Sequence, residues 1–363
     1  MSALVLTCDS PGMLTTVQDG GRWGHQGEGM PVAGAVDLQS MRIANLLAGN
    51  EENSGCLEVS LLGPRLTVAG GEGVVAAGGA DLGFQINGAD APLWTAHLIR
   101  AGDVLSFSGP KSGCRAYLAL SGGIDVPAVM DSRATYTRAK VGGLEGRALK
   151  KGDTLTCGEP PLLWRRCEGL VCPPELRSDY DPDAPLRTLE GPQEDHFTEE
   201  GLKTFYSSEY TVSNSADRMG YRMDGPVVEH KGAADIISDA IPLGAVQVPG
   251  HGQPIVMLAD RQTTGGYTKI AVVCSPDAAA LAQRLPGQKV RFQKITLKEA
   301  VALVREEKRK RDELRRIRAA YRSVSAERTP EAPTVAAPAR GEAILRVDGV
   351  EHRISWEEIQ EVE

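Results

Sequence analysis

The sequence predicts a mainly β protein made of two related halves, in which short antiparallel strands close into barrels. Its 363 residues include 41 glycines, and aromatic residues make up only 5% of the chain. This composition favours many short strands joined by tight turns over a helical bundle. Short apolar runs broken by glycine recur at 73–79, 82–86, 104–107 and 116–120, a spacing typical of antiparallel sheet in a barrel.

A repeated residue pattern indicates that the two halves are related. Both copies read Arg-x-Gly-ring-x-x-x-Gly, with an aspartate before the arginine and a proline soon after the second glycine. The first copy begins at Arg22 and the second at Arg218. Self-similarity across such a separation is typical of a duplicated unit. We therefore expect two pseudo-symmetric halves that bring similar loops to one site, although the match is short enough to arise by chance.

The first half is expected to span residues 1–160. It opens with a strand at 4–6 and a glycine-rich loop. A helix is predicted from 37 to 50, with Asp37 as its N-cap and Gly-Asn at its end. Strands then follow from residue 57 onward, separated by glycine and proline turns.

The second half is expected to span residues 186–300. Prolines crowd residues 161–185, where periodicity is weak, so we interpret this region as the connection between the halves. Beyond it, the apolar runs again predict strands, at 210–213, 245–248, 254–258 and 268–273.

A charged helix is predicted at 296–322. Thr296 and Glu299 have the spacing of a capping box, which marks the start of a helix. Eight basic and four acidic side chains lie between Arg305 and Arg318. Charges at this spacing favour a solvated helix with i,i+4 pairs.

The C-terminal tail is predicted to carry a small separate element. Residues 323–340 are rich in proline and alanine, which is typical of a disordered linker. Residues 341–363 are expected to form an appendage with a hairpin around Asp348-Gly349, because Asp-Gly is a strong hairpin turn signal.

Bulk properties exclude several functional classes. The formal net charge of -8 argues against nucleic-acid binding. The apolar runs are too short to cross a membrane, and the N-terminus lacks signal-peptide features, so we expect a cytoplasmic protein. The seven cysteines are odd in number and scattered, which predicts buried reduced thiols and no metal site. Phosphate-loop, dinucleotide-binding and G-x-S-x-G motifs are absent from the sequence.

The glycine-rich loop is the first candidate site. Within eight residues it contains an amide, a carboxylate, a guanidinium and an imidazole: Gln18, Asp19, Arg22 and His25. Glycines let the backbone approach a ligand, and these side chains supply charge-assisted hydrogen bonds. We predict Gln18, Asp19 and Arg22 as catalytic, and Thr16 and His25 as substrate-binding. The alternative is a surface loop in which an Asp–Arg pair holds a turn.

A polar loop after the predicted strand 255–259 is the second candidate site. Loops at strand ends are where rigid scaffolds present binding groups. Its amide, hydroxyl and backbone groups suit a carboxylate, ureido or lactam group. The alternative is an ordinary hairpin with polar tips. The predicted catalytic residues of this loop are Gln262 and Lys269, and its predicted substrate-binding residues are Thr263, Thr264, Gly265 and Tyr267. Asp217 and Arg218, from the second copy of the repeated pattern, are predicted to bind substrate with them.

Six segments match motifs of a known family, in the family's order: 15–24, 34–37, 44–50, 117–124, 213–222 and 258–267. By these segments the chain resembles the carboxyltransferase-like family. That family includes the C component of bacterial 5-oxoprolinase, one half of the carboxyltransferase domain of urea carboxylase, and the antagonist of a sporulation-kinase inhibitor. The tail beyond Val304 lies outside the region that resembles this family. The sequence also departs from the family at Ala134, where the family shows a serine.

The resemblance implies a cyclophilin-like β-barrel fold in each half and a heteromeric enzyme. The implied partners are a smaller protein of related fold, similar to the B component of the oxoprolinase, and a LamB/YcsF-like protein, its A component. The implied reaction is the ATP-dependent hydrolytic opening of 5-oxo-L-proline to L-glutamate, with ATP bound by this chain or by a partner. Lactam opening is uphill near neutral pH, so coupling to ATP is chemically reasonable.

Two alternatives stay open within the resemblance. The chain could be the carboxyltransferase component of a biotin-dependent carboxylase, similar to urea carboxylase. Biotin would then be carried by another protein, because this chain has no Met-Lys-Met motif. The second alternative is a regulatory protein that antagonises a kinase inhibitor. The partners expected under the main prediction are the two further components and a small-molecule substrate, with no nucleic acid or membrane.

Overall fold

The computed structural model describes residues 3–178, 180–321, 340–347 and 350–357. The chain divides into two compact units, Met1–Ser323 and Val324–Glu363. Strands account for 34% of the structure and helices for 20%, which confirms the predicted mainly β class. None of the helices in the described part of the chain has the length and apolar character that spanning a membrane requires.

The first half is a sandwich of two antiparallel sheets around one core. The six-stranded sheet has the order β11-β1-β4-β9-β6-β7, and the five-stranded sheet has the order β2-β3-β10-β5-β8. Leu6, Leu66 and Leu118 are fully buried between them. The strands are β1 (Val5–Ser10), β2 (Leu14–Gln18), β3 (Cys56–Ser60), β4 (Arg65–Gly70), β5 (Glu72–Asp81), β6 (Phe84–Ile86), β7 (Ala89–Asp90), β8 (Ala96–Arg100), β9 (Val104–Phe107), β10 (Ser112–Leu120) and β11 (Thr154–Thr156).

The second half is built on one eight-stranded sheet, of order β20-β13-β14-β17-β16-β19-β12-β21, and a two-stranded ribbon, β15-β18. Its apolar core includes Phe205, Val246, Val256 and Ile270. The elements are β12 (Leu186–Glu190), α2 (Glu199–Ser207), β13 (Tyr210–Val212), β14 (Gly220–Asp224), β15 (Asp235–Ala240), β16 (Ala245–Gln247), β17 (Ile255–Met257), β18 (Thr264–Tyr267), β19 (Lys269–Val273), α3 (Ser275–Ala282), β20 (Lys289–Val290) and β21 (Phe292–Lys294).

Helix α1 (Leu38–Leu47) is the central helix of the larger unit. Asp37 caps it as predicted, because its carboxylate accepts a hydrogen bond from the Ser40 amide at 3.0 Å. Eight of its ten residues are buried, so the helix is covered on all sides rather than on one face. It therefore packs between other elements and leaves almost no surface to solvent.

The proline-rich connection packs into the protein. Trp164, Cys167 and Leu176 share a buried cluster with α1 and with Leu314 of the last helix. The region 161–185 therefore joins the halves by contributing core residues, although its weak periodicity gave no sign of this.

The charged helix α4 (Leu297–Ala320) begins at the predicted capping box of Thr296 and Glu299. The expectation that it is a solvated helix is only partly met. Arg311 and Arg315 form ion pairs with Glu52, at 3.1 and 2.8 Å, and Leu314 is fully buried. One side of α4 is therefore docked on the first half.

The smaller unit contains a hairpin of β22 (Arg340–Val347) and β23 (Val350–Glu357), with Val347 opposite Val350. This pairing confirms the predicted hairpin. The predicted turn residues Asp348 and Gly349, and the predicted linker up to residue 339, lie outside the described residues. All seven cysteines lie in described positions and are buried free thiols, as expected.

Candidate functional site

The glycine-rich loop uses its polar side chains to hold the chain together. Arg22 is completely buried. Its guanidinium donates from Nε to the carbonyl of Val129 at 3.0 Å and from Nη2 to the carbonyl of Ala134 at 2.8 Å. Since the bond to residue 134 is made to the backbone, the departure from the family at Ala134 leaves this contact intact.

The neighbouring Asp19 and Gln18 secure the same segment. Asp19 accepts hydrogen bonds from the Ser132 hydroxyl at 2.7 Å and the Arg133 amide at 2.6 Å. Gln18 donates to Thr16 Oγ1 at 3.0 Å and to the carbonyl of Thr135 at 3.1 Å. The loop is therefore tied to residues 129–135. Asp19 and Arg22 each contribute to this separately, and neither forms the Asp–Arg turn pair considered as an alternative.

His25 lies at the outer edge of this loop. Its Nδ1 is 3.5 Å from Glu28 and its Nε2 is 3.7 Å from Asp131. Glu28 and Asp131 are mostly exposed carboxylates, with 64% and 96% of their side chains accessible. The imidazole is thus placed at the surface and away from the buried contacts of Arg22.

Arg218, the matched arginine of the second half, connects the two halves. It donates from Nε and Nη2 to the carboxylate of Asp260, at 3.1 and 2.9 Å, and from Nη2 to the carbonyl of Gly34 at 2.6 Å. Its Nη1 also donates to Glu58 of β3. Asp217 takes no part in this cluster and pairs with Arg138 at 3.1 Å instead.

The charges of this cluster compensate one another. Burial by itself favours neutral Glu58, but the positive charges of Arg218 and Arg115 hold the pKa of Glu58 below its usual value. Burial also opposes charge on Arg218, yet Asp260 and Glu58 raise its pKa. Both groups are therefore ionised and satisfied in place. Both arginines bond to residues 32–34: Arg22 donates from its backbone amide to the carbonyl of Val32, and Arg218 donates from its side chain to that of Gly34. Arg22 lies in a loop, whereas Arg218 lies two residues before β14.

Gln283 of the second half completes the contact between the halves. Its Oε1 accepts from the Arg115 amide at 2.9 Å, and its Nε2 donates to Asp37 Oδ2 at 2.8 Å. We call Asp37, Glu58, Arg115, Arg218, Asp260 and Gln283 the interface cluster. Its members are buried and paired with protein groups.

The outer face of the eight-stranded sheet carries an open cleft of about 380 Å³. Arg222 lies opposite Ile255, and Ile255 lies opposite Gln247, so the three residues form a row across β14, β17 and β16. Their neighbours Tyr221, Val256 and Val246 point to the core. The cleft is lined by Arg138, Ser215, Asp217, Met219, Gly220, Arg222, Gln247, Pro249, His251, Ile255, Met257, Gln262 and Tyr267.

Two glutamines of this cleft each have an amide atom without a partner. Gln247 is 2% exposed, and its Nε2 makes no hydrogen bond within the described part of the chain. Gln262 Oε1 is likewise buried without a partner among the described residues. A buried polar group without a partner is uncommon in a folded protein, and a ligand is one explanation for it. The cleft therefore has unused hydrogen-bonding capacity on an open face of the sheet, whereas Arg115 Nε, the atom of the interface cluster that has no partner among the described residues, lies inside a packed contact.

Gly265 lies beside both amides. A Cβ there would sit 3.0 Å from Gln247 Nε2 and 3.4 Å from Gln262 Nε2, and closer still to Ile241. The absence of a side chain at this position is what allows β18 of the ribbon to approach the two glutamines.

Lys269 lies next to the cleft in the sheet register, opposite Gln247. It is fully buried, and its Nζ is 3.3 Å from Asp239 of β15. The contact lacks hydrogen-bond geometry. The ammonium group therefore has an ion-pair partner, but its N–H groups donate no hydrogen bond to the described residues. Its position under the ribbon separates it from the surface.

The structure brings together part of the predicted site. Asp217, Gln262 and Tyr267 line the cleft, with Gly265 and Lys269 beside it. Thr263 lines a separate apolar pocket of about 450 Å³ next to Trp23, and Thr264 is exposed. The residues of the first loop and Arg218 belong instead to packed contacts between segments.

Sequence reasoning missed Arg138, Arg222, Gln247 and His251, which also line the cleft. One signal was present. Gln247 is a polar residue inside the apolar run 245–248, and Arg222 is an exposed position between the buried Tyr221 and Met223. Period-two alternation would have placed both side chains on the outer face of their strands.

Comparisons with known proteins agree with this architecture. The family model described as "Carboxyltransferase domain, subdomain A and B" matches residues 28–294. The C component of the 5-oxoprolinase of Escherichia coli is 38% identical over 301 residues, covering 82% of this chain and 94% of that protein. The same component of the Haemophilus influenzae enzyme is 36% identical, covering 83% of this chain and 95% of that protein.

Solved structures of larger proteins are also similar. The urea amidolyase of K. lactis superposes with a TM-score of 0.81 at 28% identity, covering 86% of this chain. The urea carboxylase of Kluyveromyces lactis gives 0.80 at 26% identity, covering 99% of this chain. This chain spans 20% of the amidolyase and 33% of the carboxylase, so it corresponds to one part of each.

Proposed function

The chain belongs to the carboxyltransferase family of subdomains A and B, and from that premise we propose that it is the C component of an ATP-dependent 5-oxoprolinase. Two curated relatives with this name match over nearly their whole length, at 38% and 36% identity. The urea amidolyase match covers only a fifth of the larger protein. The identity to these two relatives exceeds the 28% identity to the urea amidolyase structure, and this difference favours the oxoprolinase component.

The observation that carries the proposal is the cleft with its unpartnered amide atoms. A lactam presents one carbonyl and one N–H, and the cleft offers amide groups that can pair with both. Arg222 adds positive charge for a carboxylate. The cleft is thus suited to a small polar amide acid such as 5-oxo-L-proline.

The proposed assembly needs further proteins. This chain has no nucleotide-binding motif in its sequence, so we assign ATP to a partner. The partners proposed are the smaller protein of related fold and the LamB/YcsF-like protein, in a soluble cytoplasmic complex. The reaction would open the lactam by hydrolysis, with ATP hydrolysis driving an otherwise uphill step.

Reconstitution tests this proposal directly. The chain is purified alone and together with the two partner proteins, and glutamate release from 5-oxo-L-proline is measured with and without ATP. We expect ATP-dependent release from the three-protein complex and none from the chain alone. A complete, folded complex that releases no glutamate would contradict the proposed function. Release by the isolated chain would contradict its role as one component of the catalyst.

Carboxyl transfer from biotin is the second candidate function. It is favoured by the family description and by the structural similarity to urea carboxylase, at a TM-score of 0.80. Under this alternative the cleft would bind urea or a similar amide, and carboxybiotin would arrive on another protein. Incubation with a biotinylated carrier, a biotin carboxylase, bicarbonate and ATP distinguishes the two functions. A carboxyltransferase would consume carboxybiotin, whereas an oxoprolinase component would not.

A further inference from the structure

We propose that the cleft binds a cyclic amide acid lengthwise across the strands: Arg222 holds the carboxylate, Ile255 contacts the ring methylenes, and Gln247 and Gln262 hold the amide edge. This assignment rests on the proposed function and names the residues that select the substrate. It makes Gln247, Ile255 and Arg222 specificity-determining residues, of which only Arg222 lies in a family motif segment.

The row across the sheet has the right order and length. Arg222, Ile255 and Gln247 occupy facing positions on three adjacent strands. Neighbouring strands are about 4.8 Å apart, so the outer two backbones are separated by about 10 Å. From ordinary bond lengths, a five-membered lactam with a carboxylate is about 5 to 6 Å long. Extended arginine and glutamine side chains can therefore reach its two ends while Ile255 lies beneath its centre.

The amide end is defined by two adjacent glutamines. Their amide nitrogens lie 3.0 and 3.4 Å from the Cβ position of Gly265, so they are within 6.4 Å of each other. A ring lactam is locked in the cis form, so its N–H and C=O point to the same side. One glutamine can then accept from the N–H while the other donates to the C=O. The terminal amide torsions are soft, which allows each glutamine to present either atom.

The acid end is defined by charge. Arg222 is exposed in the cleft, and its side chain forms no ion pair with any described residue. The nearby Asp217 is already paired with Arg138 at 3.1 Å. The cleft therefore keeps one uncompensated positive charge, which favours a monoanionic ligand over a neutral amide such as urea.

The test uses the full chain in the assembled complex. Arg222→Met is expected to raise KM for 5-oxo-L-proline about 30-fold, and Gln247→Met and Gln262→Met about 10-fold each, the size expected for lost polar contacts to a charged and a neutral group. The change should fall on KM rather than kcat. Arg65→Met, a surface arginine of β4 far from the sheet row, serves as the matched control and should leave KM unchanged.

Analogue inhibition gives a readout that a merely structural role would not move. The neutral lactam 2-pyrrolidinone lacks the carboxylate, and L-proline lacks the lactam carbonyl. For the wild-type complex, the inhibition constant of either analogue should be far higher than the KM for 5-oxo-L-proline. Arg222→Met should lose its preference for the acid over 2-pyrrolidinone, and Gln247→Met should lose its preference for the lactam over L-proline.

The outcomes separate this inference from the proposed function. An active complex in which all three variants keep wild-type KM and analogue preferences would overturn the inference and leave the function standing. A complex without ATP-dependent glutamate release would remove the proposed function. If isothermal titration then also detects no 5-oxo-L-proline binding to the full chain, the inference fails with it. Thermal midpoints of all variants, expected within about 2 °C of wild type, exclude misfolding as the cause.

Discussion

The interface cluster and the cleft both contain arginines and glutamines, buried in the cluster and with exposed arginines in the cleft, and they use them in opposite ways. At the interface, Arg218 contacts two carboxylates and a carbonyl, and Gln283 uses both ends of its amide. In the cleft, Gln247 Nε2 and Gln262 Oε1 have no partners among the described residues. The same residue types therefore stabilise the fold in one place and leave binding capacity in the other.

The difference teaches how to separate structural from functional polar residues in this fold. A buried charge that is fully paired holds its partners in place, and removing it alone is costly because the partner charges are left buried without compensation. A polar group without a partner is uncommon, and where it lines an open cleft a ligand accounts for its retention. Because Arg218 and Arg222 are four residues apart and of the same type, they offer a direct comparison.

The largest expected effect comes from breaking the interface cluster. Arg218→Met leaves Glu58 and Asp260 buried without their main counter-charge, which we expect to cost about 3 to 5 kcal/mol of unfolding free energy. Chemical denaturation of the purified chain measures it. Glu58→Gln added to Arg218→Met should recover part of the loss, because it removes one stranded charge. A wild-type midpoint for Arg218→Met would show that this cluster does not stabilise the fold.

A slightly smaller effect is expected at Gln283. Gln283→Ala removes the side-chain acceptor of the Cys114 and Arg115 amides and one donor to the Asp37 carboxylate, at a cost of about 2 to 4 kcal/mol. Gln247→Ala, the matched control in the cleft, should cost less than about 1 kcal/mol, because its Nε2 has no hydrogen bond to lose. Equal losses at both positions would contradict the distinction between the two regions.

Glu307 extends the comparison to a half-buried acid outside both regions. Burial raises the pKa of Glu307 to about 7, and the nearby Asp37 adds to this. Since the folded pKa exceeds the ordinary value near 4.5, its protonation stabilises the fold below pH 4.5, and this contribution is lost as pH rises through 7. Glu307→Gln, which mimics the protonated acid, should therefore match wild type at pH 4.5 and exceed it by roughly 1 to 3 kcal/mol at pH 8.

Urea unfolding of both proteins at several pH values tests this expectation. A constant difference between pH 4.5 and 8 would show that Glu307 does not titrate in this range. A variant less stable than wild type at pH 8 would mean that the ionised carboxylate is stabilised by Arg311 or Arg42 more than burial opposes it.

The smallest effect is expected from the C-terminal unit. The division between the units falls at Ser323, so truncation there removes no strand of either half. The thermal midpoint should change by no more than a few degrees. A drop of more than about 10 °C would contradict this expectation, because it would show that the C-terminal unit stabilises the larger one.

Local signals in the sequence predicted much of the fold. Asp37 at an N-cap and Thr296 with Glu299 in a capping box are short-range chemistry, and both helices begin where those residues lie. Each of the four strands predicted in the second half is present, such as Lys269–Val273 inside 268–273, whereas six others, including Gly220–Asp224 and Thr264–Tyr267, were not predicted. Family motifs added what local patterns lack, the association of the two halves into one known architecture.

The site was harder to predict because its contacts join distant residues. Arg218 and its partner Glu58 are 160 residues apart, and the carbonyls bonded by Arg22 lie more than 100 residues away. A motif shows that such residues are polar and close to glycine in the sequence. It does not show whether their hydrogen-bonding groups are already paired with other groups of the protein. Gln247 is the converse case, since only the sheet register places it beside Ile255 and Arg222.

The most direct test compares a buried, structurally bonded arginine of the glycine-rich loop, Arg22, with Arg222 of the cleft in the assembled complex. Arg22→Met and Arg222→Met are measured side by side for thermal midpoint and for KM with 5-oxo-L-proline. We predict that Arg22→Met lowers the midpoint by several degrees, because two buried carbonyl contacts are lost. Arg222→Met should keep the midpoint and raise KM. A normal midpoint with impaired substrate binding for Arg22→Met, or a lowered midpoint with normal KM for Arg222→Met, would contradict the assignment of the two regions.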